Sequence, residues 1–288
     1  MQILEQILAD LSELKDVSSV YLKDFHVCSP FTVVLLSDGS VGSSGNYSVQ
    51  NHVSGYVPQQ VKDNYAGLLR FDPLLLETLR NDQTLVGRSL FTAILSALSQ
   101  DVLNQSVLSA YGLTIVPATD WHAVLQRLLR PGDVVKMIGY GGALPLFCTS
   151  STVRKLQICD FSFADQKYRQ LAHQEIESFG FDASNVTLCS DVSELDSFPC
   201  DIYFISGSAL CNGTMEQLLD RSSGCREVIV QGPSCSVFPS EFFRRSATLV
   251  LTTRKSRAEF DAGGHAGDEI YDYVDRDYVA ISWQGREA

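Results

Sequence analysis

The chain has 288 residues, 45% of them apolar, enough to bury a sizeable core and to build two domains. Its formal charge of −12 excludes a surface built for phosphate contacts, and no apolar run approaches the ~20 residues that span a bilayer, so neither a nucleic-acid nor a membrane partner is expected. The opening MQILEQILADLSELKD is an acidic amphipathic helix rather than a signal peptide, which predicts a cytoplasmic protein whose eight cysteines are reduced.

In that first helix Ile3, Leu4, Ile7, Leu8, Leu11 and Leu14 share one face. Phe31–Leu36 reads as a strand, and Ser37-Asp38-Gly39-Ser40 as the turn that folds residues 41–49 back against it. Helices are expected over residues 73–80 and 87–103. Helix, hairpin and helices without alternation predict an α+β domain over residues 1–115. After Pro117 the pattern changes. Thr119 or Asp120 caps a helix that runs to Leu129 and ends at Pro131-Gly132. Apolar runs at residues 134–138, 155–159, 186–188, 202–205, 228–230 and 248–251 read as strands, with helices over 164–178, 214–219 and 240–244 between several of them. Such alternation predicts an α/β domain over residues 116–288, a Rossmann-like doubly wound parallel sheet.

The strand at 134–138 runs into Gly139-Tyr140-Gly141-Gly142, a turn that lets a ligand approach the backbone closely. Asp160 ends the next strand, where a carboxylate can accept hydrogen bonds from ribose hydroxyls. Leu144 stands where GxGxxG would place its third small residue. An adenosyl ligand without a pyrophosphate tolerates that departure better, so S-adenosylmethionine ranks ahead of NAD; a plain turn explains the glycines equally well. Two further loops leave strand ends: Ser206-Gly207-Ser208, leading to Asn212-Gly213-Thr214, and Gly232-Pro233-Ser234. With Asn46 they offer hydroxyls and amides suited to a carboxylate or amino acid. The same residue types cap helices routinely, and Thr214-x-x-Gln217 reads first as a capping box. His265, following Gly263-Gly264 in an acid-rich segment, is the expected general acid–base, with Asn212 and Tyr140 as the other candidate catalytic residues. Cys211 and Cys235 lie in the two loops and are candidate soft-metal ligands, whereas most of the other cysteines sit in apolar runs as small hydrophobes.

GYGGALP after a strand, SGSALCNGT, GPSCSVFP and Gly263-Gly264-His265 together resemble the putative heavy-metal chelation domain family of prokaryotic proteins. The likeness spans nearly the whole chain. It departs at Cys211, where an aliphatic residue is usual, and over residues 161–181, which are longer than typical. The resemblance implies a small subdomain similar to the enolase N-terminal domain, joined to a Rossmann-like domain, with a site in the cleft between them. Two functions follow from these residues. One is an enzyme of transferase or lyase type that binds an adenosyl cofactor against Gly139, Gly141, Gly142, Asp160 and Ser206, and a small anionic or amino-acid-like substrate against Thr214, Ser234 and Asn46. The other is a metal-handling protein that uses Cys211, Cys235 and His265. A homodimer fits either.

Overall fold

The computed structural model describes residues 2–27, 31–46, 79, 84–116, 120–195, 199–263 and 278–285. Helix α1 (Gln2–Leu14) buries Ile3, Leu4, Ile7, Leu8 and Leu11, as their spacing predicts. Strands β1 (Leu22–Val27), β2 (Phe31–Leu36) and β3 (Val41–Gly45) form an antiparallel sheet in that order. The expected turn joins β2 to β3, with Gly39 at φ 90°. Strand β1 escapes a sequence reading because its register shifts between Leu22 and Asp24, so the buried Leu22, Phe25 and Val27 do not alternate evenly.

Helix α2 (Leu85–Ser99) begins at Thr84, whose hydroxyl accepts the Gly87 N–H at 3.0 Å. Every residue from Ser89 to Ser99 is buried, and a helix buried on all sides belongs inside the molecule. Its small residues admit β3 so closely that a Cβ on Gly42 would lie 2.1 Å from the Ala93 carbonyl oxygen. The helix stops at Ser99, four residues short of the expected end, and Val102 and Leu103 stay buried in the turn that follows. Of the helix expected over 73–80, only the buried Leu79 is described; residues 47–49 of the hairpin arm lie outside the described residues.

Helix α3 (Gln105–Ala110) leads into β4 (Leu113–Val116). Helix α4 (Trp121–Leu128) is capped by the Asp120 carboxylate, which accepts the His122 N–H. Then β5 (Asp133–Ile138), α5 (Leu144–Thr149), β6 (Val153–Cys159), α6 (Gln166–Ser178), β7 (Val186–Cys189), β8 (Ile202–Ser206), α7 (Met215–Arg221), β9 (Glu227–Gln231), α8 (Ser240–Arg244) and β10 (Leu249–Thr253) follow in near-alternation. The strands β7-β6-β5-β8-β9-β10 are all parallel, which in chain order is the 3-2-1-4-5-6 arrangement of Rossmann sheets. Two strands that the sequence did not announce extend this sheet to eight. After α9 (Arg257–Gly263), β11 (Tyr278–Trp283) pairs antiparallel with β10, and β4 pairs antiparallel with β11.

One face of the large sheet, with Val135, Met137, Ile158, Phe204 and Leu251, packs with residues of α4, α5 and α6. The opposite face carries Ile205, Val228, Val230, Val250 and Ile281 into one continuous core with α1, α2, α7 and α8. So α1 and α2 serve both sheets at once. Ion pairs pin this arrangement. The Asp10 carboxylate on α1 receives Arg244 at 2.9 Å and the Ser240 hydroxyl, both from α8. At the start of β5, the Arg226 guanidinium forks onto both oxygens of the buried Asp133, at 2.9 and 2.7 Å. Among the described residues no helix is long and apolar enough to cross a membrane.

Candidate functional site

In the 3-2-1-4-5-6 order the chain leaves β5 for β6 on one side and β8 for β9 on the other. Ligands of open α/β sheets bind in the crevice outside the carboxyl ends of such a strand pair. Here that place is formed by the glycine turn after β5 and the serine loop after β8. Gly139 has φ 92°, and a Cβ on it would lie 2.9 Å from Ser206 Cβ, so both backbone angle and close approach require glycine. Gly141 is exposed, and a Cβ there would meet nothing within 4 Å. Neither packing nor a positive φ demands that second glycine, which leaves an open stretch of backbone at the switch point.

Asp160 fixes this turn. Its Oδ2 accepts the Tyr140 N–H at 2.8 Å, while Oδ1 accepts the Ser162 N–H at 2.9 Å and the Ser162 hydroxyl at 2.7 Å. A carboxylate offers about four acceptor positions, so one remains on Oδ2 for a further donor. Tyr140 is committed elsewhere. Its hydroxyl donates to Glu175 on α6, its ring meets Phe163 edge-on at 5.4 Å, and burial together with Glu175 raises its pKa. The Leu144 side chain fills the core beside Trp121 and Phe147, and α5 has only six residues. A pyrophosphate cradle at a long helix start is therefore not built.

On the neighbouring loop, the Ser206 and Ser208 hydroxyls lie 2.9 Å apart. The capping box expected at Thr214 does not form. Thr214 sits at φ −99°, ψ −10°, already near helical, and its side chain makes no capping bond. The Asn212 carboxamide oxygen instead accepts both the Thr214 N–H, at 3.2 Å, and the Thr214 hydroxyl, at 2.6 Å. Helix α7 is also too short, at seven residues, to present an anion site at its start. A different cation stands here: Arg88 of α2 donates from Nη1 to the Asn212 carbonyl at 2.8 Å. Sequence reasoning missed Arg88. The signal was there, because it is the single charged residue in a fifteen-residue helix.

Ser234 and Asn46 lie deeper than expected, at 2% and 1% exposure. The Ser234 hydroxyl accepts the Gly45 N–H at 2.7 Å and so joins the end of β3 to the loop after β9. Around it runs a buried layer of small hydroxyls: Ser44 donates to the Ser89 carbonyl, Ser89 to Thr32, and Ser96 pairs with Ser236 at 2.6 Å. Cys211 belongs to this layer, near Ser234, Ser44 and Thr92, and complete burial raises its pKa. Cys235 donates to the Gly232 carbonyl at 2.9 Å, and burial pushes its pKa up to about 12. Among the described residues no three His, Cys, Asp or Glu side chains converge on a metal position. His265 lies outside the described residues.

Solved structures share this fold. A protein of unknown function from Desulfitobacterium hafniense, assigned to the DUF364 family, shares the fold at a TM-score of 0.64 and 15% identity, over 98% of this chain and 100% of its own. A second DUF364 protein of unknown function, from Pyrococcus horikoshii, does so at a TM-score of 0.60 and 18% identity, over 96% and 98%. A precorrin 8w decarboxylase from Methanobacterium thermoautotrophicum overlaps only 59% of this chain and 92% of its own, at a TM-score of 0.31 and 17% identity. No curated protein matches. The sequence profile of the DUF364 family, described as putative heavy-metal chelation, matches residues 123–260 of this chain.

Proposed function

We propose that this protein is an enzyme that binds an adenosyl cofactor at the glycine turn after β5, with S-adenosylmethionine ahead of NAD. The observation that carries this reading is the exposed, sterically unconstrained Gly141 at the β5–β8 switch point, beside an Asp160 with one acceptor position to spare. The backbone at Gly141 and Gly142 admits the adenosyl group closely. Asp160 accepts a ribose hydroxyl, and the Ser206 and Ser208 hydroxyls bind at the other lip. When bound, S-adenosylmethionine supplies a transferable alkyl group or its own amino-acid portion. A small anionic or amino-acid-like substrate is held by Asn212 and Thr214, with Arg88 providing the positive charge. Ser234 and Asn46 act from below, as the joint that fixes this loop.

Isothermal titration of the metal-free protein with S-adenosylmethionine, S-adenosylhomocysteine and NAD tests the reading. Binding of the adenosyl compounds that is lost in Gly141→Val, with melting unchanged, supports it. Binding of none of the three by the folded protein overturns it. The family description favours metal handling instead. That reading predicts stoichiometric binding of zinc, nickel or copper(I) that is lost when Cys211 and Cys235 are replaced by serine.

A further inference from the structure

Cys200 stands two residues before β8 and Cys225 two residues before β9, and the parallel register pairs Ile202 with Glu227. The two cysteines therefore face each other just outside the start of the ladder. Adjacent strands lie about 4.8 Å apart, within the roughly 4.4–6.8 Å of Cα separation that a disulfide spans. The two sulfurs are 2.8 Å apart, and both residues are partly exposed. A second pair supplies the contrast. Cys159 and Cys189 are likewise in register, on β6 and β7, but only 4% and 1% exposed.

The surroundings favour a thiolate on Cys225. The hydrogen bond with Cys200 and the attraction of the Lys136 ammonium outweigh burial and the opposing Asp201 charge, so its pKa is lowered. The same hydrogen bond, together with burial, raises the pKa of Cys200. Lys136 itself is buried on β5 and, among the described residues, makes no hydrogen bond or ion pair. In thiol–disulfide exchange the thiolate is the attacking species.

We propose that Cys200 and Cys225 form a dithiol that exchanges with small-molecule disulfides of the glutathione class and closes to an intramolecular disulfide. The Cys225 thiolate attacks one sulfur of the small disulfide, forming a mixed disulfide and releasing one thiolate. Cys200 gives up its proton and attacks Cys225 Sγ, which expels the second. Counted from the neutral dithiol, two protein thiols are oxidised to one disulfide, one small disulfide is reduced, and both protons end on the two released thiols. The site lies at the amino ends of β8 and β9, away from the glycine turn at the carboxyl end of β5, and it does not depend on the function proposed above.

The test holds the full chain in mixtures of reduced and oxidised glutathione, blocks free thiols with N-ethylmaleimide, and maps all eight cysteines by mass spectrometry. The expected result is that oxidising mixtures convert Cys200 and Cys225 into one cross-linked peptide pair. Cys159, Cys189, Cys211 and Cys235 take up maleimide only after unfolding and show no link. Cys200→Ser should leave Cys225 carrying one glutathione. The proposal is overturned if the folded wild type keeps both thiols free in the most oxidising mixture, or if either links to a different cysteine instead.

Discussion

Arg88 fills the space that a side chain on residue 213 would need: a Cβ built on Gly213 would lie 2.4 Å from the arginine Nη1. Gly213 also holds φ 77°, so the turn between β8 and α7 and the cation above it are matched to each other. Gly213→Ala must adopt a disfavoured backbone angle and displace Arg88. A loss of about 1–2 kcal/mol is expected in urea unfolding. Arg88→Ala should leave adenosyl-ligand affinity unchanged while weakening an anionic substrate at least tenfold, a split that titration with each ligand separately would read.

Gly141→Val separates ligand access from folding. With nothing within 4 Å of the new Cβ, the unfolding free energy should change by no more than about 0.5 kcal/mol, as neutral surface changes do. Adenosyl affinity should fall by tenfold or more. Asp160→Asn, which keeps the side chain's shape, should weaken the same ligand by about 1–3 kcal/mol.

Removing Arg226 would leave Asp133, 2% exposed, as a buried carboxylate without its guanidinium fork. Arg226→Ala should destabilise the fold by about 3–5 kcal/mol, and Arg226→Lys should recover only part, because a lysine cannot serve both oxygens from one plane. The midpoints of guanidinium unfolding for the two variants check this.

Stability should decline in alkali. Burial raises the pKa of Cys148, Cys211 and Cys235, with Cys148 and Cys235 each pushed up to about 12, whereas an unfolded thiol ionises near 8.5. Above pH 8.5 the unfolded chain gives up protons that the folded chain keeps, so stability is lost as pH rises, by up to about 1.4 kcal/mol per pH unit per thiol. Unfolding free energies of wild type and Cys235→Ala between pH 8 and 10.5 should differ in slope by one thiol's share. Equal slopes would show that Cys235 ionises freely in the folded state.

The doubly wound sheet was legible because six apolar runs recur with polar, helix-forming stretches between several of them, and a parallel strand buried on both faces is written as such a run. Strand β11 was not legible. Its partner β10 is fixed by long-range antiparallel pairing, and no local periodicity marks that choice. The strand-end glycines and serines pointed to a candidate site, and Gly139 and Ser206 do approach each other there. What the sequence could not convey was depth. Ser234 and Asn46 look like exposed loop residues until β3 packs over them, and Thr214 looks like a cap until Asn212 takes that role.

Helix α2 acts as a keystone. Buried from Ser89 to Ser99 between the small sheet and the loops of the large one, it is held by hydroxyls on both sides. Swinging the two sheets apart would wet that whole helix and strand several buried hydroxyls without partners, each at a cost of about 1–3 kcal/mol. The two sheets therefore do not work as jaws. The end of β3 is bonded to the loop after β9 through Gly45 and Ser234, so the small sheet is built into the same body as that loop rather than laid over it as a detachable cover.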